Sequence, residues 1–239
     1  MTNQSAHFEH YIKDLFPSGC SLSRYGDGEI QIMRGMKLQG IDGWRSDGGE
    51  SLLRTQLLAT ASLNNKNIAK GIPCTCHFPG DSLYARKRLV ATTPLVASNI
   101  FVNCCAQKAT RWIRSIASGS VVFTNKRYKK LLDSNVDIAA GLEKENIYPI
   151  FEDDCFGWWN YNASNIIDLC RQRARIESGR TFLFSAGPMA TVICSLLSYH
   201  YPQNIYVDCG SILDSAFFNF QNRPYQNSSH PDSLLNCTI

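Results

Sequence analysis

No window of the 239-residue chain approaches the roughly 18 consecutive apolar residues that a membrane-spanning helix needs, so no membrane span is expected. The opening residues, Met1-Thr2-Asn3-Gln4-Ser5-Ala6-His7, have neither a basic n-region nor an apolar h-region, and a cytoplasmic protein is expected. Concentrated basic charge is missing too. The net charge is +4, and the cations fall in separate groups at Arg86 to Arg88, Lys126 to Lys130 and Arg171 to Arg175. Nucleic acid would call for one basic face, whereas a small anionic substrate such as a sugar diphosphate needs a few cations in one cleft. There is no internal repeat and no linker-like break, so a single domain over 1–239 is expected, with a core over about 7–216 and a polar tail or flap at 217–239. Cys74-x-Cys76-His77 could seed a zinc site, but no second pair stands at metal spacing, because Cys104 and Cys105 are adjacent. A donor-site loop is the more useful reading of that stretch. The ten cysteines are expected to be reduced and mostly buried as small apolar residues.

What is present is alternation. Short β-branched or aromatic runs at Ser21 to Tyr25, Asn67 to Pro73, Asn99 to Asn103, Ser120 to Thr124, Asn146 to Phe151, Arg180 to Ser185 and Asn204 to Cys209 read as strands. Between them lie helical patterns at Glu50 to Leu63, Leu83 to Ala91, Gln107 to Ala117, Trp158 to Glu177 and from Pro188 onward. Two further helices are read at His7 to Phe16 and Ile30 to Met36. The pattern predicts an α/β fold, a Rossmann-like and mostly parallel sheet with helices on both faces. Ligand crevices in such sheets open at the carboxyl ends of the strands.

The polar residues concentrate at those ends. Ser21-Leu22-Ser23-Arg24-Tyr25 leads into Gly26-Asp27-Gly28-Glu29, two carboxylates one residue apart that can share a hard divalent cation, Mn²⁺ or Mg²⁺. Arg24 beside them could face the same phosphates. A turn with two solvated carboxylates is the plain alternative. Asn125-Lys126-Arg127 follows the fourth strand, where the Arg127 fork suits a diphosphate and a solvated helix start is the alternative. Glu152-Asp153-Asp154 precedes Phe156, Trp158 and Trp159; a carboxylate there could accept a proton from an acceptor hydroxyl, with the aromatics packed on a sugar. The alternative is an acidic helix start with the tryptophans in the core. Ser185-Ala186-Gly187-Pro188 turns a buried strand into a helix whose amino end could seat a pyrophosphate. The Gly-rich loop Leu38 to Gly49 lies near the acids and could fold over a ligand.

Arg24-Tyr25-Gly26-Asp27-Gly28-Glu29, with Ser185-Ala186-Gly187-Pro188-Met189-Ala190 and Val207-Asp208-Cys209-Gly210-Ser211-Ile212-Leu213-Asp214, resembles the GT-D type glycosyltransferases, a family first catalogued as a domain of unknown function. The likeness spans about Ser21 to Asp214, and three islands carry it. It implies that Asp27 and Glu29 hold the metal of a nucleotide-sugar. It also implies donor contacts from Arg24, Tyr25, Gly26, Ser185, Gly187 and Pro188, which Asn125 and Arg127 would join from their own strand end, and an inverting transfer, most simply from a UDP-sugar, to a glycan hydroxyl. Asp153 or Asp154 would then be the base. A metal-dependent phosphoesterase or nuclease, and a noncatalytic nucleotide- or glycan-binding module, remain open as alternatives.

Overall fold

The computed structural model describes residues 3–39, 45–46, 48–89, 93–133, 142–152, 155–217, 229, 231 and 235–239. The chain enters through α1 (Gln4–His10), which runs on into a π-helical turn at Tyr11–Leu15, then forms β1 (Ser21–Arg24) and α2 (Asp27–Met33). A small antiparallel hairpin, β2 (Leu38–Gln39) and β3 (Arg45–Ser46), precedes α3 (Leu52–Ala61). There follow β4 (Ile68–Ile72), α4 (Pro79–Arg88), β5 (Leu95–Ala97), α5 (Ala106–Ser115), β6 (Val121–Asn125) and α6 (Lys129–Asp133). The last part is β7 (Ile147–Phe151), α7 (Cys155–Ile176), β8 (Thr181–Phe184), α8 (Pro188–His200), β9 (Ile205–Asp208) and α9 (Ile212–Phe217).

Seven strands make one sheet in the order β5-β4-β1-β9-β8-β6-β7, and every neighbouring pair is parallel. Right-handed crossovers then dictate where the helices go. The steps β1 to β4, β7 to β8 and β8 to β9 all move the same way along the sheet, so α3, α7 and α8 must share a face, and these three helices pack on one another. The long step from β5 to β6 runs the other way and sends α5 to the opposite face, where it packs on α9.

Coverage of both faces explains why the strands read as near-continuous apolar runs. Leu22, Val122, Phe123, Phe182, Leu183, Phe184 and Val207 are fully buried. Phe123 stacks on Phe184 in one neighbouring strand at 5.1 Å and on Tyr148 in the other at 5.0 Å. Trp159 is also fully buried, and its indole Nε1–H donates to Gln56 Oε1 at 2.6 Å, tying α7 to α3. It is therefore a core residue and not part of an open sugar platform.

One expected strand is displaced. Asn99 to Asn103 forms turns, with Ile100 N–H to Ala97 O and Val102 N–H to Asn99 O, and the ladder partner of β4 is Leu95–Ala97 instead. Ile100 and Phe101 are fully buried, so the apolar signal was that of a core plug, which a short run cannot distinguish from a strand. The C-terminal segment is described at its end, where residues 235–239 dock on the body: Cys237 O accepts from Gln4 N–H at 2.6 Å and Thr238 O from Thr75 N–H at 2.9 Å.

Candidate active site

The two carboxylates sit on a helix, not on an open turn. β1 ends at Arg24, Tyr25 N–H still reaches Gly71 O at 2.8 Å, and Gly26 caps α2 with Asp27 and Glu29 in its first turn. Acidic groups there are favoured by the helix dipole. Glu29 bends back so that its Oε2 accepts from Gly26 N–H at 3.0 Å. Gly26 has no side chain to return that bond, and a Cβ there would stand 2.9 Å from Glu29 Oε2, so that the carboxylate would have to shift. Burial first, and then the Asp208 carboxylate, push the Glu29 carboxyl up to about 8. Asp27 is exposed one residue away.

Arg24 is committed to protein partners. Its Nη2 donates to Asp208 Oδ1 at 3.2 Å, its backbone N–H to Asp208 Oδ2 at 3.3 Å, and its Nη1 to Ser98 O at 3.2 Å. The Nε is buried and has no hydrogen-bond partner among the described residues. Thr191 from α8 completes the knot, its hydroxyl placed 2.9 Å from Arg24 O and 3.2 Å from Asp208 Oδ2. Asp208 is itself buried, which raises its pKa, while Arg24 acts against the rise. The ends of β1, β9 and β5 and the first turn of α8 are thus joined by one buried ion pair. Tyr25, expected among donor contacts, turns the other way: its ring is fully buried and its hydroxyl lies 3.1 Å from Thr60 Oγ1 and 3.4 Å from Ser195 Oγ.

The remaining candidates occupy the neighbouring strand ends. Ser185 continues the ladder through its N–H to Phe123 O at 2.9 Å. Gly187 then takes φ 53° and ψ −138°, a conformation suited to glycine, and Pro188 opens α8. Asn125 Oδ1 caps the next turn by accepting from Arg127 N–H at 2.8 Å. Arg127 Nη2 reaches Asp214 Oδ2 at 3.2 Å, and Tyr128 donates its hydroxyl to the other oxygen of the same buried carboxylate. Lys126 pairs with Glu152 at 2.6 Å. Asp153 and Asp154 lie outside the described residues.

Because β1, β9, β8, β6 and β7 are consecutive in the sheet, the segments around Asp27, Asp208, Ser185, Asn125 and Glu152 line one edge of it. Asp208, Thr191 and Ser98 stand outside the donor contacts expected from the sequence. Asp208 was visible as an acid at a strand end, but nothing local signals that a strand 184 residues earlier supplies its arginine. Thr191 and Ser98 have no motif to mark them.

No protein-family model and no curated protein matches the chain. Solved structures do. A glycosyltransferase (DUF1792) from Streptococcus sanguinis aligns with TM-score 0.58 and 13% identity over 100% of this chain and 93% of its own. A selenomethionine-substituted structure of domain of unknown function 1792 aligns with TM-score 0.58 and 16% identity, over 89% of this chain and 77% of its own. A third structure, with TM-score 0.57, 16% identity and the same coverage of 89% and 77%, is described as showing that this highly conserved domain has a distinct glycosyltransferase fold. With its all-parallel seven-stranded sheet and helices on both faces, the chain has the fold described for DUF1792 glycosyltransferases.

Proposed function

We propose that the protein is a metal-dependent glycosyltransferase that moves a sugar from a nucleoside-diphosphate sugar, a UDP-sugar being the expected donor, to a hydroxyl of a glycan acceptor with inversion. The observation that carries the reading is the placement of Asp27 and Glu29 on the first turn of α2, at the carboxyl end of a central strand. A hard divalent cation would suit these two carboxylates on one helical turn, and would offset the burial and the Asp208 and Asp27 charges that disfavour the ionised form of Glu29. Oxygen ligands of this kind suit Mn²⁺ or Mg²⁺, which keep open positions for phosphate oxygens. Held by Asp27 and Glu29, such an ion supplies charge to offset the departing diphosphate.

The chain's own residues account for the rest. The amino end of α8, after Ser185 and Gly187, would offer the positive end of its dipole to an anion above the sheet. Arg24 opposes the rise that burial imposes on the Asp208 pKa, and the Asp208 carboxylate in turn raises that of Glu29. Arg127 borders the crevice with its guanidinium braced by Asp214 and lying over the Tyr128 ring at 5.0 Å. In an inverting step the acceptor oxygen bonds to the anomeric carbon as the bond to the diphosphate breaks, and a carboxylate takes the acceptor proton. Asp153 or Asp154, each following β7 in the sequence, is the proposed base.

The test is donor turnover. Release of UDP from a panel of UDP-hexoses in Mn²⁺, with and without oligosaccharide acceptors, should be lost in Asp27→Asn. Asp153→Asn or Asp154→Asn should lose acceptor transfer while still binding donor. Full transfer in both of the latter variants removes them as bases, and turnover of simple phosphodiesters in place of UDP-sugars would replace the reading with a phosphoesterase.

A further inference from the structure

Cys74 and Cys76 and His77 occupy the loop that leaves the carboxyl end of β4, and the C-terminal segment brings Cys237 to them from the other end of the sequence. His77 Nδ1 is 3.6 Å from Cys74 Sγ, 3.2 Å from Cys76 Sγ and 3.5 Å from Cys237 Sγ. The four ligand atoms all lie within 4.8 Å of one another. Zn–S bonds of about 2.3 Å and Zn–N bonds of about 2.0 Å in a tetrahedron put neighbouring ligand atoms ~3.5–3.8 Å apart. The spacing around His77 matches that of a single ion and leaves no room for an iron–sulfur cluster. The chemistry points the same way, since three thiolates and one imidazole are a zinc set, whereas carboxylate-rich sites take magnesium or manganese.

We infer that Cys74, Cys76, His77 and Cys237 bind one Zn²⁺ as a closed Cys₃His structural site, separate from the acids of α2. Four protein ligands leave no open position for a substrate. The site was hidden in the sequence because its fourth ligand is 160 residues from His77. Its consequence is mechanical. Cys237 O accepts from Gln4 N–H, and the buried Gln4 side chain donates from Nε2 to Asn99 O at 2.5 Å and Val102 O at 2.6 Å. That turn begins at Ser98, whose carbonyl holds Arg24. Zinc would therefore fasten the chain's last residues, its first helix and the rim of the crevice to one another.

The experiment is elemental analysis of the full-length chain purified from zinc-supplemented cells without a metal-affinity tag. The expected content is about one zinc per chain, retained through dialysis. Replacement by Co²⁺ should give the ligand-field and thiolate charge-transfer absorption of a tetrahedral sulfur-rich site. Cys237→Ser and Cys76→Ser should bring zinc to background, whereas Cys104→Ser and Asp27→Asn keep it. Wild-type analysis does not depend on any variant folding. A zinc-free chain, zinc undiminished in the Cys76→Ser/Cys237→Ser double variant, or a Cys74–Cys237 disulfide in anaerobically purified protein would overturn the assignment.

Discussion

Arg24 and Asp208 meet across the β1–β9 seam at 3.2 Å, both largely withdrawn from water, and the Asp208 carboxylate also receives the backbone N–H of Arg24. Removing one partner strands a buried charge, which costs about 3–5 kcal/mol, while replacing both by apolar groups can be far milder. Asp208→Ala is expected to lose that amount in urea unfolding, and Arg24→Met/Asp208→Leu to lose less than either single variant. Additive losses in the double-mutant cycle would show that the two do not act as a pair.

Gly210 is the second constraint on the same guanidinium. Its φ is +54°, and a Cβ there would stand 2.0 Å from Arg24 Nη2. Gly210→Ala must therefore adopt a disfavoured backbone and push Arg24 off Asp208, for an expected loss of about 2–4 kcal/mol. Gly80→Ala, in open space at an ordinary φ, is the control and should be neutral. Equal stability of the two variants would contradict the packing described.

Glu29 makes stability depend on pH in a definite direction. Its folded pKa is raised from 4.5 to about 8. Between those values the folded chain keeps a proton that the unfolded chain has released, so the contribution is fully present below about 4.5 and is lost as pH rises through about 8. The slope is at most about 1.4 kcal/mol per pH unit. Urea midpoints from about pH 5 to about pH 8.5, without added divalent cation, should fall for wild type and fall less for Glu29→Gln. Added Mn²⁺ favours the ionised carboxylate, so its stabilisation should grow across the same window. Parallel profiles for the two proteins would remove Glu29 as the source.

Lys70 is fully buried on β4, the strand next to one edge of the sheet, and its ammonium closes the carboxyl end of α3 by donating to Ala61 O at 2.7 Å, Leu63 O at 2.9 Å and Thr60 O at 3.4 Å. Lys70→Met keeps the bulk and strands those carbonyls, and a loss of about 2–3 kcal/mol is expected in urea unfolding. A variant as stable as wild type would mean that water replaces the ammonium.

Much of the fold was legible because burial on both faces imprints a local signal. β1, β4, β7, β8 and β9 fall within runs expected as strands, as does all of β6 but its last residue, and the stripes of α3 and α7 mark their helices. The exception, Asn99 to Asn103, carried the same apolar signal for a different reason. The site was legible where its chemistry is contiguous, as in Asp27 and Glu29. It was illegible where partners come from distant segments, as with Arg24 and Asp208, Arg127 and Asp214, or His77 and Cys237. The sequence places Arg24 and Arg127 where they could face phosphates, but position along a chain says nothing of the carboxylates folded against them. Tyr25 is expected from the sequence as a ligand contact, and its place between the end of β1 and Gly26 does not tell that its ring turns inward.

The most direct test of the central claim is a thermal-shift titration of UDP, GDP and dTDP with and without Mn²⁺, on zinc-replete wild type and on Asp27→Ala. Ligand that binds the folded chain raises its melting temperature by mass action, without knowledge of the acceptor. The account predicts a Mn²⁺-dependent rise with one nucleotide, UDP, that disappears in Asp27→Ala. A rise that is independent of Mn²⁺ or survives in the variant, or no rise with any of the three, would contradict the assignment of Asp27 and Glu29 as the metal-holding pair of a nucleotide-sugar site.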